Sequence, residues 1–380
     1  MGERCAIVGI GQSDHKRIRE DLSMAGLLRE AASRALADAE MDWSDIQAIV
    51  FGKAPDQFEG VMMPELYLAD ALGGAGKPMI RMHTAGSVGA HTAIFGAHLI
   101  ESGLFDCVLS IAFEKQSETD TSRVLSAGQR GGAAVAFAPS IRQYIERSHA
   151  PEYIGWMVAV KDRLNALKNP HAQIHMPDIT IEKVQESEMV ADPLRRLECC
   201  PTSDGAAAIV YTNERRVPDT GRRPAWVLAS ATRSEAMGHP GRDWVSPLAG
   251  QQCAKEVYRQ AGITNPLEEI DTAEIYVPFT WFEPMWLENL GLAEVGTGWK
   301  LTDGGDTAMD GAFPVNPSGG VLSANAIGAA GLIRCAEAAM QARGTAGEHQ
   351  IPDVRVAMGH AFGGGSQYFA IWLVGSEKPE

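Results

Sequence analysis

Three short stretches of this chain carry residue types able to do chemistry together. Gly86-Ser87-Val88-Gly89 is a glycine-rich turn ahead of a small-residue run, Ala90 to Ala97, that contains no proline. A strand entering such a turn and leaving as a helix brings backbone N–H groups to the helix N-terminus, where a developing oxyanion is stabilised. The same glycines would let two buried helices approach closely, and this stretch alone leaves the two readings level. His360 stands just before Gly363-Gly364-Gly365, a run suited to close backbone approach by a ligand. An imidazole there would donate to a polarised oxygen or shuttle a proton near neutral pH. Ala85 to Gly89 also differs by one residue from the G-x-S-x-G elbow of serine hydrolases, with Ser87 as nucleophile and His360 in the right chain order. Five-residue matches of that kind are weak. The six cysteines, Cys5, Cys107, Cys199, Cys200, Cys253 and Cys335, show no CxxC spacing, so neither a metal site nor a disulfide framework is expected.

Elements that position these residues alternate between strand and helix. Cys5 to Gly11 reads as an apolar strand, Met24 to Glu40 as an amphipathic helix, Ile46 to Phe51 as a strand, Pro64 to Leu72 as a helix and Phe105 to Phe113 as a buried strand. Such alternation predicts a mainly parallel sheet covered by helices. The order returns after about residue 224. Ala225 to Ala231 is a strand, Leu248 to Ala261 a helix, and Ile270 to Phe279 a turn and strand. Gly319-Gly320 then opens a small-residue helix, Val354 to Phe362 echoes Asp106 to Phe113, and Tyr368 to Val374 parallels Ala206 to Tyr211. Offsets hold near 220 to 250 residues and drop to about 160 for the last pair. The drop locates an insertion, Glu114 to Leu197, with a glycine-rich patch (Gly128 to Ala138), an Arg142 to Arg147 region and a helix, Trp156 to Leu167, bearing Lys161 and Arg163. Long insertions in compact α/β units usually cover a site or move.

A chain of 380 residues buries a large core, and its formal net charge of −15 excludes a general nucleic-acid or anionic-membrane binder. There is no signal-peptide pattern and no apolar run long enough to span a bilayer, so a cytoplasmic protein is expected.

Three further stretches carry a family resemblance: DPLRRLECCPTSDGAAAIV (Asp192 to Val210), NPSGGVLSANAIGAAG (Asn316 to Gly331) and GHAFGGGSQ (Gly359 to Gln367). Together with the duplication they resemble the thiolase superfamily, in particular its sterol-carrier-protein-type thiolases and thiolase-like lipid-transfer proteins. The resemblance implies an α/β thiolase fold in which two duplicated βαβαβαββ halves form a five-layered α-β-α-β-α architecture. It divides the chain into a first half (1–113 plus 198–220), an inserted cover (114–197) and a second half (221–380). It also places Gly86 where thiolases keep their nucleophilic cysteine, Asn325 where the family has histidine, and Tyr276 at a strand end where thiolase-like steroid aldolases have tyrosine.

Acyl transfer through a thiolate needs a positioned low-pKa sulfur, and the GSVG turn has none. What the resemblance then implies is a carbon–carbon lyase, cleaving a 3-hydroxyacyl-CoA with a sterol-like or bulky side chain by a retro-aldol reaction. In that scheme Tyr276 handles the hydroxyl proton, provided donors or positive charge nearby lower its pKa, while Asn325 and His360 hold the thioester oxygen. Gly86, Ser87, Gly319, Gly320, Gly363 and Gly364 would line the substrate, with Lys161 and Arg163 as candidates for the CoA phosphates. No cofactor beyond the coenzyme A thioester substrate is implied. A homodimer, and a heteromer with a small OB-fold and zinc-ribbon subunit, are implied as partners. An atypical thiolase or acyltransferase, and a non-catalytic acyl-CoA- or lipid-binding protein, are the alternatives.

Overall fold

The computed structural model describes residues 3–54, 61–118, 132–217, 223–238 and 240–379. The first part of the expected glycine-rich patch, 128–131, and the end of the expected first half, 218–220, lie outside them. In chain order the elements are β1 (Cys5–Gln12), α1 (Met24–Ala39), β2 (Ala48–Lys53), α2 (Glu65–Leu68), β3 (Met79–Met82), a 3-10 turn (Ala85–Ser87), α3 (Val88–Glu101) and β4 (Cys107–Lys115). Between β4 and β7 come α4 (Gly132–Ser148), α5 (Tyr153–Asn165), α6 (Ile181–Glu186) and a small hairpin, β5 (Met189–Ala191) with β6 (Leu194–Arg195). Then follow β7 (Asp204–Asn213), β8 (Ala225–Ser234), α7 (Leu248–Ala261), α8 (Pro266–Glu269), β9 (Thr272–Glu274), α9 (Phe282–Asn289), α10 (Gly298–Asp303), α11 (Gly320–Ser323), α12 (Ile327–Arg343), β10 (Val356–Gly363) and β11 (Tyr368–Gly375).

The duplication is visible in the pairing. The strands run β3-β2-β4-β7-β1-β8-β11-β10-β9, so the first half reads β3-β2-β4-β7-β1 outward to inward and the second β9-β10-β11-β8. In each half one matching pair is parallel (β2 with β4, β9 with β10) and the next two are antiparallel, so the sheet is mixed and not mainly parallel as the alternation predicts. The counterpart of β3 is reduced to one parallel bridge, Ala273 to Val315. The two halves meet where β1 pairs β8 through Ala6–Trp226 and Ile7–Ala225.

Helix α1 packs on β1 and β7, α7 on β8 and β11, and α3 and α12 pack on each other between the two strand sets, which completes the five layers. One apolar core lies under α1, around Val8, Leu27, Ala31, Phe51 and Phe113, and a larger one surrounds the central helix pair. The centre is tight. A Cβ on Gly89 would sit 2.5 Å from the Leu332 nitrogen, and one on Gly331 would sit 2.7 Å from the Ala90 nitrogen. Close helix approach is therefore a use of these glycines that the structure displays directly.

Two second-half elements are shorter than the sequence predicts, and both breaks matter. The strand expected to reach Phe279 stops at Glu274, because the Ile275 and Tyr276 amides bond side chains instead of a neighbouring strand. Ile275 N donates to Asn316 Oδ1 (2.8 Å) and Tyr276 N to His360 Nδ1 (3.4 Å). The helix expected from Gly319 is split into α11 and α12 by Ala324, whose backbone is extended (φ −160°, ψ 123°). That interruption presents Asn325, whose amide donates to Ser203 Oγ at 2.8 Å.

Candidate active site

A cleft of about 610 Å³ opens where the two halves and the inserted helices meet, within the range of small-molecule sites. Its lining includes Ala85 and Gly86 from the first-half turn, Tyr276 and Asn325 from the two breaks, Cys200 from the segment before β7, and Gly363 to Gly365 from the loop after β10. The turn and the closing loop touch. A Cβ on Gly363 would lie 2.6 Å from the Ser87 nitrogen and 2.8 Å from the Gly86 nitrogen. Beyond it the loop needs three successive left-handed residues, Gly364 (φ 61°), Gly365 (φ 61°) and Ser366 (φ 59°), which explains two of its glycines. The turn carries a left-handed residue of its own, Ala85 at φ 51°, an unfavourable conformation for a side chain that proteins tend to keep at functional turns.

One hydrogen-bond chain crosses the cleft. The Tyr276 hydroxyl donates to Asn325 Oδ1 at 3.1 Å, and Asn325 Nδ2 donates to Cys200 Sγ at 3.1 Å. The Tyr276 ring stands edge-on to Phe362, with centroids 5.5 Å apart. A side chain begun on Gly86 would point its Cβ to within 3.9 Å of the Tyr276 oxygen, so this glycine leaves open the space directly in front of the phenol. Burial, and then the neighbouring Cys200 sulfur, push the Tyr276 pKa far above its ordinary value. Burial likewise pushes the Cys200 thiol up to about 11, even though the Asn325 bond works the other way. The amide oxygen that partners the phenol accepts its hydrogen bond and brings no positive charge to lower its pKa, so Tyr276 stands as a neutral donor where the sequence expects a base. Among the described lining residues there is no carboxylate and no imidazole, and the two charged groups are Arg163 and Arg196.

Several expected site residues lie elsewhere. His360 is fully buried behind the cleft, packed against Trp286 and Phe369, with Nδ1 accepting from the Tyr276 amide. Burial lowers its pKa to about 3, so it is neutral and positions the Tyr276 backbone. Ser87 is fully buried too and donates to Thr84 O at 2.8 Å, with no histidine on its hydroxyl, which removes the serine-hydrolase reading. Gly319 (φ 86°) and Gly320 (φ 58°) are outside the cleft. A Cβ on Gly319 would press within 2.5 Å of Ala166 Cβ, so it makes room for the inserted helices rather than for substrate.

Lys161 and Arg163 are not free for phosphates. Lys161 Nζ bonds Asp162 Oδ1 (2.6 Å), Glu283 Oε2 (3.0 Å) and Val315 O (2.8 Å). Burial opposes its charge, and the two carboxylates outweigh that and raise its pKa. Arg163, 2 % exposed, reaches the carbonyls of Leu322 (3.3 Å) and Leu197 (3.2 Å) and ties the insertion to both its exit and α11. The accessible cation at the mouth is Arg196, its side chain 63 % exposed and paired with Glu188. Sequence reading missed it, and missed Cys200 and Phe137, because nothing in their spacing separates them from neighbours of the same type. The described residues contain no cluster of three or more His, Cys, Asp or Glu able to hold a metal, and no helix long and apolar enough to cross a membrane.

Two repeated α/β halves about a central helix pair, with a cleft at their junction, define a thiolase fold. A family profile described as thiolase C-terminal domain-like matches residues 230–375. An acetyl-CoA acetyltransferase of Methanothermobacter thermautotrophicus is 32 % identical over 94 % of this chain and 96 % of its own length. Human sterol carrier protein 2 is 29 % identical over 98 % of this chain and 72 % of its own. Among solved structures, the Ltp2-ChsH2(DUF35) aldolase superposes with a TM-score of 0.84 at 27 % identity, covering 98 % of this chain and 97 % of that one. The chain belongs to the thiolase superfamily.

Proposed function

We propose that this protein is an acyl-CoA carbon–carbon lyase that cleaves a 3-hydroxyacyl-CoA by a retro-aldol reaction. The observation that carries the reading is the neutral Tyr276–Asn325 pair facing the space left by Gly86, with no sulfur on the turn. In the reaction the hydroxyl proton leaves to water, the Cα–Cβ bond breaks, Cβ becomes a carbonyl and the electron pair moves onto Cα and the thioester oxygen. The charge that grows on that oxygen is what the cleft serves. A neutral phenol donates a hydrogen bond to it without first giving up its own proton, and such donors are typically worth 10²–10³-fold in rate. The proton taken up by water then returns to Cα, directly or relayed through the Tyr276 hydroxyl, which is left neutral, and the step releases a shortened acyl-CoA and a ketone or aldehyde.

Arg196 at the mouth suits the CoA phosphates. A second subunit like the one named with the aldolase neighbour, a homodimer and a cytoplasmic location fit the same reading. Tyr276→Phe tests it: cleavage should fall at least about 100-fold with folding intact, and undiminished turnover removes Tyr276 from the mechanism.

Cys200 favours one rival, an atypical acyltransferase, because its sulfur lies in the same cleft. Its raised pKa leaves little thiolate near neutrality. Product analysis with and without free CoA separates the two, since an acyltransferase consumes CoA and acylates the cysteine, and a lyase does neither.

A further inference from the structure

One wall of the cleft is made of two antiparallel strips of chain. Arg196 to Cys200, leading into β7, lies against Pro278 to Thr280, just past Tyr276. Cys199 bridges Phe279, the Cys200 amide donates to Pro278 O (2.9 Å), and the Thr280 amide donates to Glu198 O (3.1 Å). Leu197, Cys199, Cys200, Pro278 and Phe279 line the cleft, whereas Glu198 and Thr280 do not. Both of these are fully buried, and the Glu198 carboxylate joins the strips from behind. Its Oε1 accepts from Thr280 Oγ1 (3.1 Å) and its Oε2 from the Arg195 amide (2.9 Å), while the Trp281 indole donates to the same group. Helix α5 is hollowed to admit it: a Cβ on Gly155 would sit 2.3 Å from Glu198 Oε1 and 2.6 Å from Trp281 Nε1. These donors are all neutral, and the nearby Arg195 guanidinium is turned to Ser187 O at 3.0 Å. Burial therefore prevails and raises the Glu198 pKa to about 7. A carboxyl that holds its proton more tightly folded than unfolded costs the fold stability once it ionises, so the fold alone gains nothing from a charge here.

We propose that Glu198 is a positioning residue of the active site, whose two acceptor oxygens lock the strip carrying Cys200 to the strip carrying Tyr276 and so hold the Tyr276 hydroxyl on Asn325. The proposal rests on the lyase reading above. The phenol is fixed at three places: its own amide is held by His360, Thr280 beyond it is held by Glu198, and its hydroxyl starts the chain that runs through Asn325 to Cys200. Cys200 lies two residues from Glu198, so one carboxylate governs both ends of that chain. An ionised carboxylate only accepts, and does so at both oxygens. A glutamine in its place must turn an NH2 group toward one of the donors and lose that contact. A displacement of about 1 Å at a reacting centre costs up to about 100-fold in rate. Since Glu198 lies behind the wall and touches no bound group, the loss belongs in kcat and not in KM.

The experiment measures kcat and KM for a 3-hydroxyacyl-CoA, and the melting temperature, in Glu198→Gln, Thr280→Val and Thr280→Ser. It also follows alkylation of Cys200 by iodoacetamide, with tandem mass spectrometry separating it from Cys199. Glu198→Gln and Thr280→Val should each lower kcat at least about 10-fold, leave KM unchanged and speed Cys200 alkylation, and Glu198→Gln should melt no lower than the parent. Thr280→Ser keeps the hydroxyl and should keep the parent kcat. Because the two lesions share one contact, the double variant should be little slower than the slower single one. If both single variants keep the parent kcat, or if KM rises in its place, the proposal is overturned while the lyase reading stands. Should Glu198→Gln fail to fold, Thr280→Val and its serine counterpart decide by the same measures. If the parent cleaves nothing, the lyase reading fails and alkylation decides the lock: faster modification in both variants upholds it, and the parent rate in both refutes it.

Discussion

The two halves repeat one strand order and finish it differently. In the first half the ends of β2 and β4 are closed by Lys53 and Glu114, fully buried and 3.3 Å apart. In the second half β9 ends on Glu274, buried and paired with Arg334, after which the chain leaves the sheet so that Tyr276 enters the cleft, and β10 runs into the glycine loop. Asn325 comes from a break in a helix whose first-half counterpart, α3, is unbroken. The first half therefore contributes space, at Gly86, and a sealed support, while the second contributes the hydrogen-bond donors. Duplicating a scaffold doubles its strand ends, and here one set is left to hold the structure while the other is shaped for chemistry.

That contrast can be broken from either side. The largest effect should come from the helix pair both halves share. Gly89→Val forces a side chain onto the Leu332 backbone and should cost more than about 4 kcal/mol in urea denaturation, or leave the protein insoluble. Lys53→Met strips the cation from buried Glu114 and should destabilise by about 3–5 kcal/mol. Tyr276→Phe, at the corresponding end of the other half, should change stability by about 1.5 kcal/mol or less while removing cleavage. If Lys53→Met abolished turnover in well-folded protein, the division of labour between the halves would be wrong.

Asn325→Ala, which removes the partners of the Tyr276 hydroxyl and Cys200 thiol, should lower kcat about 10- to 100-fold. A further effect shows only in acid. An unfolded histidine takes up a proton below about pH 6.5, whereas His360 in the fold holds out to about 3. Stability must therefore fall as pH drops through that window, by up to about 1.4 kcal/mol per pH unit for each such group. His15, likewise lowered to about 3 by burial, contributes in the same direction. His360→Gln should flatten the acid limb by one proton's worth in pH-dependent unfolding, and an unaltered slope would mean that His360 is already protonated in the fold.

The sequence carried the repeat and the family in full view, because these depend on periodic burial and on glycines whose lack of a side chain is itself the signal. It also put Gly86, Tyr276, Asn325, Gly363 and Gly364 forward, and the fold brings all five to one cleft. Lys161 looked like a ligand-facing cation because a charged residue on an amphipathic helix reads the same whether water or a carboxylate faces it, whereas Arg163 does line the cleft but is held by backbone carbonyls. The partners that neutralise Lys161 include Glu283, more than a hundred residues away. His360 looked catalytic for a similar reason: burial to zero exposure leaves no mark on the residue or its neighbours in sequence.

By itself, then, the order of residues determined which segments become strand or helix, which glycines must stay bare and what kind of scaffold results, since local periodicity and steric demand act within a few residues. Tertiary structure alone decided the protonation state of Tyr276, the retreat of His360 and Ser87, and the meeting of Arg196, Cys200 and Phe137 around one cleft. Those outcomes depend on dielectric surroundings and on contacts between segments far apart in the chain, which only the folded arrangement specifies.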